Sequence, residues 1–272
     1  MTIRSLPGTV PSRWAFYTDY VIPPDHPLNA LPRTWWFPAL PGLREAGDGT
    51  YNRFDLAAQP TIPVDAGSGF AWLEDVGGLH NNSADMEWSI DKAERGARSR
   101  KFDLEGLAAF AHVAAILPES VRIFAGHPHL QQRIRSATAC YLDLGDFPVR
   151  AGDLDGYLIH LMSDQQWCRH WLLYVDGVGC EAVLTTVLPI GFDLHDDERW
   201  RIPDPIPLDG SIELEVCAES FMEFIHRFWV ENELHFRLRH NGSLTGRLAA
   251  YAARLTVGGH EILPIGGQQP PQ

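Results

Sequence analysis

The stretch SFMEFIHRFWVENELHF, Ser220 to Phe236, shows where a helix begins and which side of it is apolar. Ser220 followed three positions later by Glu223 is a capping-box pattern, in which hydroxyl and carboxylate each take an amide that the first turn leaves without a partner. At 100° per residue, Phe221, Ile225, Phe228, Trp229 and Phe236 share an arc of about 100°, the width of a core-facing stripe. Asn232 falls inside that arc. An unpaired buried amide costs on the order of 1–3 kcal/mol, so the pattern predicts a polar tie from Asn232 to neighbouring backbone or side chains of the strands. Glu223, Arg227 and Glu231 recur at i, i+4 and i+8 and are expected along the helix flank, as a ladder worth a few tenths of a kcal/mol per pair.

Outward from this helix the pattern changes to strands. Ile212 to Val216 alternates as IELEV and leads directly into Ser220. Further upstream, CYLDL near 140–144, YLIHLM at 157–162, WLLYV at 171–175 and AVLTTV at 182–187 are short apolar runs. Asp153 to Gly156 and Asp176 to Gly179 carry the Asp and Gly of tight reversals, so antiparallel neighbours are expected. Before the strands, Asp103 can cap a helix through about Ile116, Pro118 opens a second, and a third is expected through Leu130 and Ile134. After Phe236, Leu244 to Leu255 reads as a last helix, followed by a short strand at 261–265.

Residues 1–91 differ in character. They hold five of the nine tryptophans and half of the twenty prolines but no helical period. Pro23, Pro24, Pro27, Pro32, Pro38 and Pro41 forbid long regular elements, while Trp35, Trp36 and Phe37 require burial. The expectation is an irregular Pro/Trp-rich extension wrapping a core. The fold class predicted is α+β, an antiparallel strand meander packed with helices over residues 92–265, with 266–272 a frayed tail.

Composition narrows the function. The chain has 272 residues with 45% hydrophobic and 21% charged residues, a globular balance. Its net charge of −13 repels phosphate backbones, so nucleic-acid partners are not expected. Twelve acidic residues against three arginines lie between Asp193 and Glu233. Asp193, Asp196, Asp197 and Glu198 are the candidate partner-binding residues on that acidic surface, with a solvated face as the plainer alternative. The start MTIRSLPG has no apolar run of signal-peptide type and no stretch is long enough to span a bilayer, so a cytoplasmic protein without membrane contact is expected.

Motifs with chemistry are sparse. Twelve histidines include His127, His129, His226, His235 and His240, but none has the spacing of a metal site, and no cofactor is predicted. Cys140, Cys168, Cys180 and Cys217 form no CxxC pair. No nucleophile elbow occurs, and Cys168 two residues from His170 reads as strand packing, so no catalytic residue is assigned. Asp164, Gln166, Trp167, His170 and Asn232 are the polar and aromatic residues that could line a pocket, or satisfy loop backbone instead.

LPESVRIF (Leu117 to Phe124), TACYLDL (Thr138 to Leu144), LIHLMSDQQWCRHWLLYV (Leu158 to Val175) and SFMEFIHRFWVENELHF together resemble a bacterial branch of the SUKH superfamily, which includes the fungal cell-wall-synthesis regulator domain. The resemblance spans roughly residues 103–240. It implies an α+β protein-binding module without an active site, in many bacterial members an immunity protein that neutralises a toxin. Residues 1–91 fall outside it. The expected function is therefore a non-catalytic protein-binding module facing a basic toxin. A small-pathway enzyme with a Trp/His/Asp-lined pocket and a regulatory scaffold are the alternatives.

Overall fold

The computed structural model describes residues 22–40, 42–44, 50–60, 62, 70–73, 102–145, 147–164, 166–188, 190, 213–240 and 242–257. The expected connection at 92–101, the strand at 261–265, the tail, and Asp193, Asp196, Asp197 and Glu198 lie outside them.

Between Pro32 and Pro38 there is room for only a short strand, and Thr34–Phe37 (β1) fills it. It pairs antiparallel with Asn52–Asp55 (β2), Trp35 opposite Phe54 and Phe37 opposite Asn52. Asp103 does cap a turn, accepting from the Glu105 amide at 2.9 Å. The expected first helix is broken into a 3₁₀ turn at Gly106–Ala109 and Ala111–Ile116 (α1). Glu119–Ala125 (α2) and the single turn Pro128–Gln131 (α3) follow.

The meander is Tyr141–Leu142 (β3), Val149–Arg150 (β4), Gly156–Ser163 (β5), His170–Asp176 (β6), Glu181–Thr186 (β7) and Glu215–Ala218 (β8). All pairings are antiparallel, in the order β3-β5-β6-β7-β8, with β4 also on β5. The tight turn after β6 is made by Asp176, whose carboxylate accepts from the amides of Val178 and Cys180 at 2.9 and 2.8 Å. Gly156 opens β5 where a Cβ would meet the Tyr174 ring at 2.4 Å, so that position admits no side chain. The first hairpin abuts the β8 edge, where the Val216 amide donates to the Pro32 carbonyl at 2.8 Å. An otherwise open row of β8 backbone groups is thereby partly covered.

Phe221–Arg239 (α4) is the long helix expected from Ser220, and Gly246–Val257 (α5) packs on it. The Ser220 hydroxyl accepts from the Glu223 amide at 3.1 Å. The Glu223 carboxylate reaches the Glu219 amide at 2.7 Å, one residue upstream of the cap.

One feature of α4 departs from the sequence pattern. From Phe221 to Leu234 every residue except Glu223 is buried, so the helix is covered on all sides rather than along one stripe. β7 and β8, the Trp35 and Phe37 rings, α2 and α5 surround it. Arg227 and Glu231 of the Glu223-Arg227-Glu231 ladder are consequently interior, and Glu223 is half-buried beside them. Glu231 takes Arg44 at 2.8 and 3.1 Å, the Trp35 indole at 2.9 Å and the Tyr251 hydroxyl at 2.7 Å. Arg227 holds Glu223 at 2.8 Å, the Pro60 carbonyl at 3.0 Å and the Tyr251 hydroxyl at 3.2 Å. Burying charge is tolerable only when it is paired and hydrogen-bonded, and here the partners come from the proline-rich segment and from α5.

Candidate functional site

Strand register gathers the candidate residues at one end of the sheet. Tyr141 faces Ser163, Ser163 faces His170, His170 faces Thr186, and Thr185 faces Glu215. The β5–β6 turn, the loop before β3 and the end of β7 therefore share that end.

Asp164 is buried and builds the turn. Its carboxylate accepts from the amides of Cys168 at 2.8 Å and Arg169 at 3.3 Å, while its carbonyl accepts from the Trp167 amide at 3.2 Å. These bonds fix Trp167 at φ 59°, a left-handed conformation that bulky L-residues rarely adopt. Trp167 is 37% exposed and meets the His170 ring edge-on at 5.6 Å. Gln166 and Cys168 flank it, both exposed. Cys168 thus sits in the turn, before the strand begins at His170, and does not share a strand face with it.

Beneath the turn lies a chain that strand alternation hides. His160 and Ser163, three apart, would point to opposite faces of a regular strand, but β5 shifts register between His160 and Met162. The shift brings Ser163 Oγ to 2.8 Å from His160 Nε2, and His170 Nδ1 approaches the same hydroxyl at 2.8 Å. His160 Nδ1 lies 2.8 Å from the Asp143 carbonyl. A carbonyl only accepts, so Nδ1 carries the proton, Nε2 accepts from Ser163, and Ser163 accepts from His170. Burial drives the His160 imidazolium pKa down to about 3 and lowers that of His170 as well, keeping both rings neutral. Ser163 is fully buried.

Beside the turn, Tyr51 donates to Thr138 Oγ1 at 3.0 Å and lies 3.3 Å from Cys140 Sγ, which is itself 3.2 Å from Thr138. Ser136 accepts from the amides of Thr138 and Cys140 at 3.3 and 2.9 Å, and Ala139 between them has φ 52°. Asn232 belongs to this loop: its Oδ1 takes the Ala137 amide at 2.6 Å, and its amide donates to the Phe228 carbonyl at 2.7 Å. The tie foreseen for Asn232 thus runs to the loop before the strands rather than to a strand. Burial first, with Asp164 contributing, pushes the Tyr51 phenol and the Cys140 thiol above their ordinary ranges, so both stay protonated.

Arg169 stacks over Trp36 with its guanidinium carbon 3.7 Å from the ring centroid. Glu215 accepts from Thr34 and Trp36 and pairs with Arg53 at 3.0 Å. Of the five pocket candidates, Asp164, Gln166 and Trp167 lie in one turn with His170 at the strand start beside it, whereas Asn232 stands behind the neighbouring loop.

At the opposite end of the sheet His26, Asp176 and Cys180 place potential metal ligand atoms within 4.8 Å of one another, a grouping with no sequence spacing to announce it. The proton inventory opposes a metal. His26 Nδ1 accepts from the Leu28 amide at 3.1 Å, which leaves the ring proton on Nε2, donated to the Tyr174 hydroxyl at 3.3 Å with Asp176 Oδ2 3.5 Å away. Burial, then Asp176, pushes the Cys180 thiol up to about 12. The cluster ties the proline-rich segment to the β6–β7 turn.

Tyr51, Ser136, Thr138, His160 and Ser163 were not legible as site residues in the sequence, because the first comes from the irregular segment and the last two meet only through a bulge. Among the described residues no helix is long and apolar enough to cross a membrane. Comparison with family models, with curated proteins and with solved structures found no match for this chain.

Proposed function

We propose that this chain is a non-catalytic, cytoplasmic protein-binding module of SUKH type, an immunity-class protein that occludes a basic toxin through an acidic surface. The observation that carries the reading is the chemical state of the sheet end. Covalent and acid–base catalysis need an activated nucleophile or a group poised to exchange protons near neutrality, within reach of a substrate. Here the thiol and phenol are pushed up, the two histidines are pushed down, and the serine between them is buried. What the end offers to solvent is instead a fixed turn with an exposed aromatic, the kind of feature that serves binding. The net charge of −13 favours encounter with a basic partner. The words that carry the SUKH resemblance fall on α2, on β3, on the β5–β6 hairpin and on α4, the elements that build the core and this turn.

The test is co-expression with the product of the adjacent reading frame, followed by pull-down. Reversing Asp196, Asp197 and Glu198 to lysine is expected to weaken capture at least tenfold at physiological salt. Capture unchanged by the triple reversal overturns the acidic-surface reading.

A further inference from the structure

Exposed large apolar side chains are few among the described residues: Trp167, Val178, Val187 and Leu188. Val178 stands alone at the tip of the β6–β7 turn. The other three share the sheet end described above, because Trp167 precedes His170 and Val187 follows Thr186, and His170 and Thr186 are register partners. Continuing the Thr185–Glu215 register places the exposed Glu213 across from Val187. An aromatic, two aliphatics and a carboxylate thus lie along the same end of the sheet, with the Arg169 guanidinium occupied in stacking over Trp36.

The turn keeps Trp167 in view at a cost. A tryptophan at φ 59° is strained, and glycine would adopt that conformation freely. Three hydrogen bonds to Asp164 enforce it. Backbone strain that supports an exposed aromatic contributes nothing to stability, and such strain concentrates at binding sites.

We infer that the β5–β6 turn and the end of β7 form the docking epitope, with Trp167 as the anchor that enters an aliphatic pocket on a basic partner protein and Val187 and Leu188 as the floor beside it. The inference rests on the protein-binding reading. The occupant is chosen by charge: Glu213 at the rim and a chain of net charge −13 disfavour an acidic partner and a second copy of this chain alike.

The probe is a phage-displayed library of random peptides panned on the full chain. Enriched peptides are expected to combine aliphatic residues with Lys or Arg. Trp167→Gly should reduce their binding at least tenfold without lowering the thermal midpoint, and Leu188→Ser should reduce it severalfold. Peptides whose binding changes less than twofold in both variants overturn the epitope, as do peptides lost on Val178→Ser at the opposite end; that second result leaves the protein-binding reading intact. No enrichment over an unrelated acidic protein also overturns it. A dimer in sedimentation that Trp167→Gly converts to monomer assigns the surface to self-association and overturns the basic-partner proposal. The Asp196, Asp197 and Glu198 reversal is read separately, so failure of the epitope and failure of the acidic-surface reading remain distinguishable.

Discussion

Glu181 enters the sheet interior at the start of β7 with Oε2 lacking a hydrogen-bond partner. Burial pushes its carboxyl up from 4.5 to about 8, against the amide of Phe221, which favours the charged form. Below pH 4.5 folded and unfolded chains both hold this proton. Between 4.5 and 8 only the folded chain does, so the stability this group contributes is lost as pH rises through that window. Glu181→Gln removes the titration. The variant is expected to match wild type near pH 4 and to exceed it in thermal midpoint by several degrees at pH 8, measured by calorimetry. Trp167 is the second residue at which local conformation and stability disagree. There an exposed ring is held in a left-handed turn, whereas Glu181 is a carboxyl held out of water.

The long helix α4 shows what an element can be made to bury. Its Glu233 accepts a bidentate grip from Arg135, Nε to Oε1 at 2.6 Å and Nη2 to Oε2, and the guanidinium lies 4.2 Å from the Phe236 ring centroid. Both side chains are buried. A pair of this kind adds little net stability relative to apolar residues, but removing one partner strands the other charge, at about 3–5 kcal/mol. Arg135→Met is expected to lower unfolding free energy by roughly that amount in urea titrations, and the double variant Arg135→Met/Glu233→Gln to recover most of it. Recovery distinguishes a stranded carboxylate from lost packing. The pair also fixes the loop that carries Ser136, Thr138 and Cys140, since Arg135 opens it and Asn232, next to Glu233, holds the Ala137 amide.

For the whole molecule these buried groups set the pH profile. Burial drives the His160 imidazolium pKa down to about 3, and burial followed by the charges of Arg247 and Arg227 does the same to His226. Unfolded histidines take protons near pH 6.5. Each buried ring therefore contributes stability that is present above pH 6.5 and lost as pH falls toward 3, at about 1.4 kcal/mol per pH unit. Glu181 acts in the opposite direction between 4.5 and 8, one group against these two rings and the smaller burial-lowered contributions of His170 and His235. Stability is expected to peak near pH 6.5 and to fall on both sides, more steeply below 4.5, where Glu181 no longer offsets the histidines. With total stability on the order of 5–15 kcal/mol, the chain should unfold before pH 3. Circular dichroism across pH 3–9 measures this, and His226→Phe, which keeps the ring contacts with Trp72 and Trp229, should move the acid midpoint down.

The α+β class, the meander from Tyr141 to Thr186, the Asp176 turn and the helix start at Ser220 are legible from neighbours in the chain: periodicity, turn residues and a cap. The β5–β6 turn is less legible: Cys168 and His170 read as strand neighbours, whereas the Asp164 hydrogen bonds hold Cys168 in the turn and the strand begins at His170. The remaining features depend on long-range contacts. Glu223, Arg227 and Glu231 repeat as a surface ladder would, and only the arrival of Arg44, Trp35 and Tyr251 from distant segments makes Arg227 and Glu231 interior. Ser163 meets His160 only because β5 bulges, and Tyr51 meets Cys140 only because a proline-rich segment crosses the sheet end. Local pattern fixes which side of an element prefers burial, but what covers the other side depends on contacts between residues far apart in the chain.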